Sequence, residues 1–202
     1  MSTADIIRQR ITPLKETLEP YPGLWDIFSR CFLNTIETTV QQTPGDTFVI
    51  TGDIHAMWLR DSTAQVLHYL RFADDETVAE MIEGLIARQA ECILRDAYAN
   101  AFNREPSDYK PFDDQPRASD WVWERKYEID SLCYPLWLAE KYLAGTGRTA
   151  FLSSSPSVFP SVSSSAGLRF LPTLAKLSEV STPTKPIPGR KLIRAFLMSD
   201  GS

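Results

Sequence analysis

The 202 residues carry 26 acidic and 21 basic side chains, giving a net charge of −5, and are 43% apolar and 23% charged. These proportions are ordinary for a globular protein long enough to bury one real core. Residues 1–20 are charged throughout with no apolar run, and no later stretch is long enough to cross a bilayer; a secretory or membrane-spanning class is excluded on this reading and a cytoplasmic protein is expected.

Ile7, Ile11, Leu14 and Leu18 fall on one helical face, with Pro13 either kinking this first helix or starting a second one capped by Thr12. Leu24, Phe28, Cys31, Phe32, Thr35, Ile36 and Val40 form the next apolar stripe, which predicts a long helix over 24–42 ending before Pro44. Thr47-Phe48-Val49-Ile50, between Pro44-Gly45-Asp46 and Gly52, reads as a brief strand. Asp61 or Ser62 then caps a helix, with Gln65 placed three residues after Ser62 as a capping box requires. Asp74 or Asp75 opens a helix over 75–94 whose Val78, Met81, Ile82, Leu85, Ile86 and Ile93 keep the i, i+3, i+4, i+7 spacing. From Tyr98 to Trp123 the chain is polar but also aromatic, more so than a solvated connector needs, and reads as a functional loop. A last helix is predicted from about Glu124 to the stop at Gly145-Thr146-Gly147, with Pro135 kinking or starting it. Cys31, Cys92 and Cys133 form no CxxC pair and read as reduced core thiols.

Composition changes near Gly147. Residues 1–145 hold 14 Lys/Arg and 24 Asp/Glu, whereas 146–202 hold 7 and 2. A Ser/Pro-rich run from Ser153 lacks any sustained period and cannot bury enough apolar area to offset about 1–2 kcal/mol per ordered residue, so residues 148–202 are expected to be a disordered tail. Three cations within 189–198 are too few to predict binding to a membrane or to nucleic acid.

Two polar clusters stand out. Asp53, His55, Trp58, Arg60 and Asp61 gather within about ten residues between a strand and a helix, the kind of pinned loop on which sites are built. Singly, each has an ordinary structural reading: an ion pair at a helix start, a hydrogen-bonded loop histidine, a core indole. One His and two Asp give no metal-ligand spacing. Glu124, Glu128 and Asp130 would complement a helix macrodipole, and would equally join the first cluster in a cleft. Carboxylates, an arginine and flat indoles are what a sugar site needs, because hydroxyls want both acceptors and donors and pyranose faces stack on aromatic rings. Glycoside hydrolysis further needs two carboxyl groups, about 6.5–9.5 Å apart for inversion or about 5–5.5 Å for retention. Composition does not say which carboxylates these would be.

The stretches Gly52-Asp53-Ile54-His55-Ala56-Met57-Trp58-Leu59-Arg60-Asp61-Ser62 and Trp121-Val122-Trp123-Glu124-Arg125-Lys126-Tyr127-Glu128-Ile129-Asp130-Ser131-Leu132-Cys133-Tyr134-Pro135 strongly resemble glycoside hydrolase family 125, the metal-independent exo-acting α-1,6-mannosidases. Asn34-Thr35-Ile36-Glu37-Thr38-Thr39-Val40 is a third match, and the resemblance covers residues 1–147. It implies an all-α fold, here a partial (α/α)6 toroid, with a pocket for a mannose-containing oligosaccharide, an inverting mechanism and no cofactor. By the same resemblance Trp58, Arg60 and Asp61 lie at the pocket floor with Glu124 and Asp130 nearby; with Asp53 and His55 these are the expected substrate-binding residues. The family's acid and base lie in later motifs that this sequence does not contain, and a full toroid needs about twelve helices of roughly ten to fifteen residues. The chain is therefore expected to be an inactive N-terminal part joined to an unrelated tail, through a frameshift, an unspliced intron, a wrong gene model or a genuinely evolved extension.

Overall fold

Ser2 opens helix α1 (Thr3–Ile11) with a capping box: Asp5 N donates to Ser2 Oγ and Ser2 N to an Asp5 carboxylate oxygen, both at 3.2 Å. The computed structural model describes residues 1–149, so the tail and its basic segment lie outside the described residues. After Pro13 the chain forms a second short helix, α2 (Leu14–Leu18). Ile7 and Ile11 are buried, but Leu14 is exposed and α2 buries nothing, so the break at Pro13 also ends the apolar face expected to continue through it.

Helix α3 (Leu24–Thr38) stops short of the predicted 42. Val40–Thr43 instead forms strand β1, paired antiparallel with β2 (Asp46–Val49) across the turn Pro44-Gly45. Gly45 holds φ 74°, a conformation that a β-carbon opposes and that a proline-glycine turn requires. Of the α3 stripe, Ile36 is buried together with Leu33, Phe28 and Phe32 are half-buried, and Leu24 and Cys31 are exposed. Phe32 meets the rings of His68, Tyr69 and Phe72 edge-on, with centroids 4.8–6.0 Å apart.

Strand β3 (Met57–Trp58) leads directly into α4 (Leu59–Val66) and a 3₁₀ turn over Leu67–Phe72. Asp75 caps α5 (Glu76–Arg95), accepting from the Thr77 and Val78 amides. All six residues of the predicted α5 stripe are buried. Strands β4 (Ala101–Phe102) and β5 (Val122–Glu124) precede α6 (Ile129–Thr146), in which Pro135 sits mid-helix without ending it. The expected helical architecture is therefore present, with two small sheets added among the described residues.

Helix α5 is central, packing against β2, α6 and α1, while α4 packs against α6. A β-carbon on Gly84 would lie 2.8 Å from Thr47 Oγ1 and 3.0 Å from the Asp46–Thr47 backbone, which explains a glycine in the middle of this helix. Arg88 Nε and Nη2 each donate to the Asp46 carboxylate at 2.7 Å and clamp the β1–β2 hairpin to α5. Glu83, accepting from Tyr142 and from Arg148 Nε, ties α5 to the far end of α6.

Two further expectations are corrected by the fold. Cys92 is buried, but Cys31 and Cys133 are exposed, so only one of the three thiols belongs to the core. Neither Asp61 nor Ser62 caps α4: the helix begins before both, at Leu59, whose amide donates to Asn100 O at 3.1 Å. A carbonyl from β4's side of the sheet thus satisfies an end amide that a side-chain cap would otherwise serve.

Candidate functional site

The two motifs meet through a sheet that no periodicity announced. β3, β4 and β5 pair antiparallel in that order, with Trp58 opposite Ala101 and Ala101 opposite Glu124. Residues 103–121 form the connection between β4 and β5, closed by Asn103 N to Trp121 O at 2.8 Å and Ser107 N to Asp120 O at 2.8 Å. The stretch read as a functional loop is held on both sides, and Arg95 stacks over the Trp121 ring at 3.8 Å from its centroid.

Arg60, in the first turn of α4, reaches α6. Its Nη1 donates to Asp130 Oδ2 at 3.0 Å and lies 3.4 Å from Glu128 Oε2, and its Nε lies 3.4 Å from Asp61 Oδ1. The Asp130 contact is the tight one, and it is the largest reason the guanidinium is held charged beyond an ordinary arginine. Asp130 Oδ1 is buried with no hydrogen-bond partner among the described residues. Lys126 Nζ stands 3.5 Å from Glu128 Oε1. Three carboxylates on one guanidinium make the cluster rich in acceptors and net negative, suited to a neutral ligand that donates hydroxyls and hostile to an anion.

Helix α4, which carries Arg60, is also tied to α5 through buried polar groups. Gln89 Nε2 donates to Ser62 Oγ at 2.8 Å and Thr63 Oγ1 at 2.9 Å.

Helix α6 does not start at Glu124 as predicted. Arg125 N donates to Asp114 Oδ2 at 3.1 Å and Lys126 N to Asn100 Oδ1 at 3.2 Å, so these amides are engaged across the loop. Glu124 therefore ends β5, Glu128 occupies the position before the helix, and Asp130 alone lies in its first turn. Glu124 Oε2 accepts from Asn100 Nδ2 at 2.5 Å. Trp58 is half-buried at the end of β3, two residues before Arg60. Asp53 and His55 sit exposed on the loop closed by Thr51 N to Ala56 O at 3.1 Å, and neither has a hydrogen bond or ion pair among the described residues.

Asn100 belongs to this arrangement although sequence reasoning left it out, whereas Glu128, which the sequence placed among the carboxylates able to join the cleft but not in the expected substrate-binding set, does contact Arg60. Asn100 was one of many polar residues in its segment, and nothing marks it except its burial, which only the fold reveals.

Among the described residues no three His, Cys, Asp or Glu side chains converge as a metal site requires. No helix there is long and apolar enough to cross a membrane.

A protein from Streptococcus pneumoniae superposes on this chain with a TM-score of 0.66 and 40% identity, over 76% of this chain and 38% of that one. It was solved as a non-productive substrate complex with α-1,6-mannobiose, in an analysis of widely distributed metal-independent α-mannosidases. The Meiotically up-regulated gene 157 protein of Schizosaccharomyces pombe is 36% identical over 155 residues, covering 67% of this chain and 30% of that protein. The chain thus spans only 30% and 38% of the lengths of these two relatives. The family profile described as metal-independent α-mannosidase matches residues 22–166, beginning after α2 and passing beyond Gly147, where the resemblance read from the motifs ends. Matched over most of its length, and with its helices placed as part of an α/α toroid, this chain belongs to the metal-independent α-mannosidases of glycoside hydrolase family 125.

Proposed function

We propose that residues 1–147 form the sugar-holding part of a glycosidase acting on non-reducing terminal α-1,6-linked mannose by inversion and without a metal, and that this polypeptide by itself binds mannosides without turning them over. One observation carries the binding reading: Arg60 gathers the partly exposed carboxylates of Asp61, Glu128 and Asp130 around one guanidinium. Carboxylate oxygens accept from sugar hydroxyls, and hydrogen bonds to an ionised group are among the stronger ones. Arg60 supplies donors beside them, so adjacent hydroxyls meet both kinds of partner. The S. pneumoniae relative was solved with α-1,6-mannobiose, which supports that disaccharide as the probe.

The test is titration of the purified chain with α-1,6-mannobiose, followed by amide shifts or heat. Saturable binding that Asp130→Asn weakens supports the proposal; equal affinity for α-1,6-mannobiose and an unrelated disaccharide sinks it.

A second reading, in which Asp61 and either Glu128 or Asp130 form the catalytic pair themselves, is less favoured by the geometry. Acid and base need environments that push them apart, whereas these three carboxylates share one cation.

A further inference from the structure

Asn100 is 1% exposed, and every polar group of its backbone and side chain is engaged. Its carbonyl accepts from Leu59 N at 3.1 Å, at the start of the helix that carries Arg60 and Asp61. Its amide donates to Glu124 O at 3.3 Å. Its side-chain Nδ2 donates to Glu124 Oε2 at 2.5 Å, and its Oδ1 accepts from Lys126 N at 3.2 Å. The last two partners fix which end of the amide is which, because a carboxylate only accepts and a backbone amide only donates. One buried residue therefore bonds to both motifs, its side-chain partners lying 24 and 26 residues further along the chain.

Glu124 Oε2 is occupied by this bond, while Oε1 has no hydrogen-bond partner among the described residues and is not a fully buried unpaired atom. We infer that Asn100 is a positioning residue of the sugar site, holding the Glu124 carboxylate so that Oε1 is presented to a ligand hydroxyl while securing the start of α4 behind Arg60. This rests on the sugar-site reading of Glu124. A free glutamate samples several rotamers, and fixing one before the ligand arrives removes an ordering cost from binding. Lys126, held by the same amide, lies between β5 and the Glu128 and Asp130 that contact Arg60.

The test compares the full chain with Asn100→Asp and with the double variant Asn100→Asp plus Glu124→Gln, measuring thermal midpoint and affinity for α-1,6-mannobiose. Aspartate keeps the acceptor for Lys126 N but sets a second carboxylate against Glu124. The double variant restores a donor and acceptor with their roles exchanged. If Asn100 presents the Glu124 carboxylate to ligand, Asn100→Asp lowers both quantities, and the double variant recovers the midpoint while affinity stays about tenfold or more below wild type. Affinity recovering along with the midpoint would make the pair purely structural and overturn the inference, as would undiminished affinity in Asn100→Asp. A wild-type chain that binds no mannoside defeats the sugar-site reading separately. The positioning of Glu124 is then judged from the Asn100 side-chain amide protons: one shifted downfield and returning to its ordinary position in Glu124→Gln supports it, and an unshifted pair overturns it.

Discussion

Arg60 Nη1 donates to Asp130 Oδ2 at 3.0 Å although the two residues are 70 positions apart. The bond is where the first motif, on α4, meets the second, on α6, so its energetic weight can be tested apart from any ligand. The side chains are 35% and 37% exposed, which puts the pair nearer a surface ion pair than a buried one. Arg60→Ala is expected to lower unfolding free energy by only about 1 kcal/mol while abolishing mannoside binding, because three carboxylates then repel one another around an absent cation. Denaturant melts and ligand titration on the same sample check both halves. A large stability loss with intact binding would place Arg60 in the scaffold instead.

Gly84 lies where α5 touches the β1–β2 hairpin, and a β-carbon there would meet Thr47 Oγ1 at 2.8 Å. Helix propensity alone favours alanine over glycine by about 1 kcal/mol, and overpacking costs about 1–3 kcal/mol. The hairpin cannot easily retreat, since Asp46 is gripped by both Arg88 nitrogens at 2.7 Å. Overpacking should therefore win, and Gly84→Ala is expected to shift the denaturation midpoint downward. A midpoint at or above wild type would show that the hairpin yields.

Burial pushes the Cys92 thiol up to about 12 from its ordinary 9.0 and the Tyr69 hydroxyl up to about 12 from 10.0. Tyr69 also donates to Phe32 O at 2.7 Å and accepts from Ile36 N at 3.2 Å. In the unfolded chain these groups lose their protons near their ordinary values, while in the folded chain they keep them until about pH 12. The unfolded state thus gains from alkali first. The stability these groups contribute is fully present below about pH 9 and falls as pH rises toward 12, at up to about 1.4 kcal/mol per pH unit for each group. Denaturant melts between about pH 7 and 11 should show this decline, and Cys92→Ala should start from lower stability but decline less steeply. A profile that stays flat across that range would contradict the assignment.

How far the sequence could be read follows from what each element depends on. Helix α5 was legible because 20 residues with one buried face leave a period that survives any detail of the surroundings. The β3–β4–β5 sheet was not, because strands of two or three residues have no period to detect. The Thr47–Ile50 strand was visible, but its partner β1 was absorbed into the α3 stripe, since Val40 suits either element. The cap on α4 and the start of α6 were misplaced for one shared reason: Asn100 supplies a carbonyl to Leu59 and a side-chain oxygen to Lys126, and no local rule foresees a cap donated from another strand. For the candidate site, the structure brings Arg60, Asp61 and Asp130 together from the two motifs, while Asn100 depends wholly on tertiary placement.

Helix α3 and the turn before it leave Tyr21, Leu24 and Ile27 at 61%, 40% and 56% exposure. Contiguous apolar surface of a few hundred Å² invites association. The chain is expected to bind a hydrophobic dye and to self-associate with rising concentration, and Leu24→Lys with Ile27→Lys should reduce both without lowering the melting midpoint. A monomeric, dye-silent wild-type protein would refute this.

Turnover is a separate matter from binding. The 202-residue chain is expected to bind α-1,6-mannobiose without hydrolysing it. General acid catalysis is worth about 10² to 10⁴ in rate; on the proposed reading, in which acid and base lie outside these residues, positioning by Arg60 and its carboxylates should leave no turnover above background. The family resemblance assigns both proton-transfer roles to motifs absent from these residues. The competing possibility is that Asp61, Glu128 or Asp130 acts as donor. All three carboxylates lie within 3.4 Å of Arg60 and are engaged with its guanidinium. Long incubations with α-1,6-mannobiose, read by release of free mannose, decide the matter. Product that disappears in Asp61→Asn or Asp130→Asn, with binding retained, would show that this part of the toroid carries its own catalytic pair.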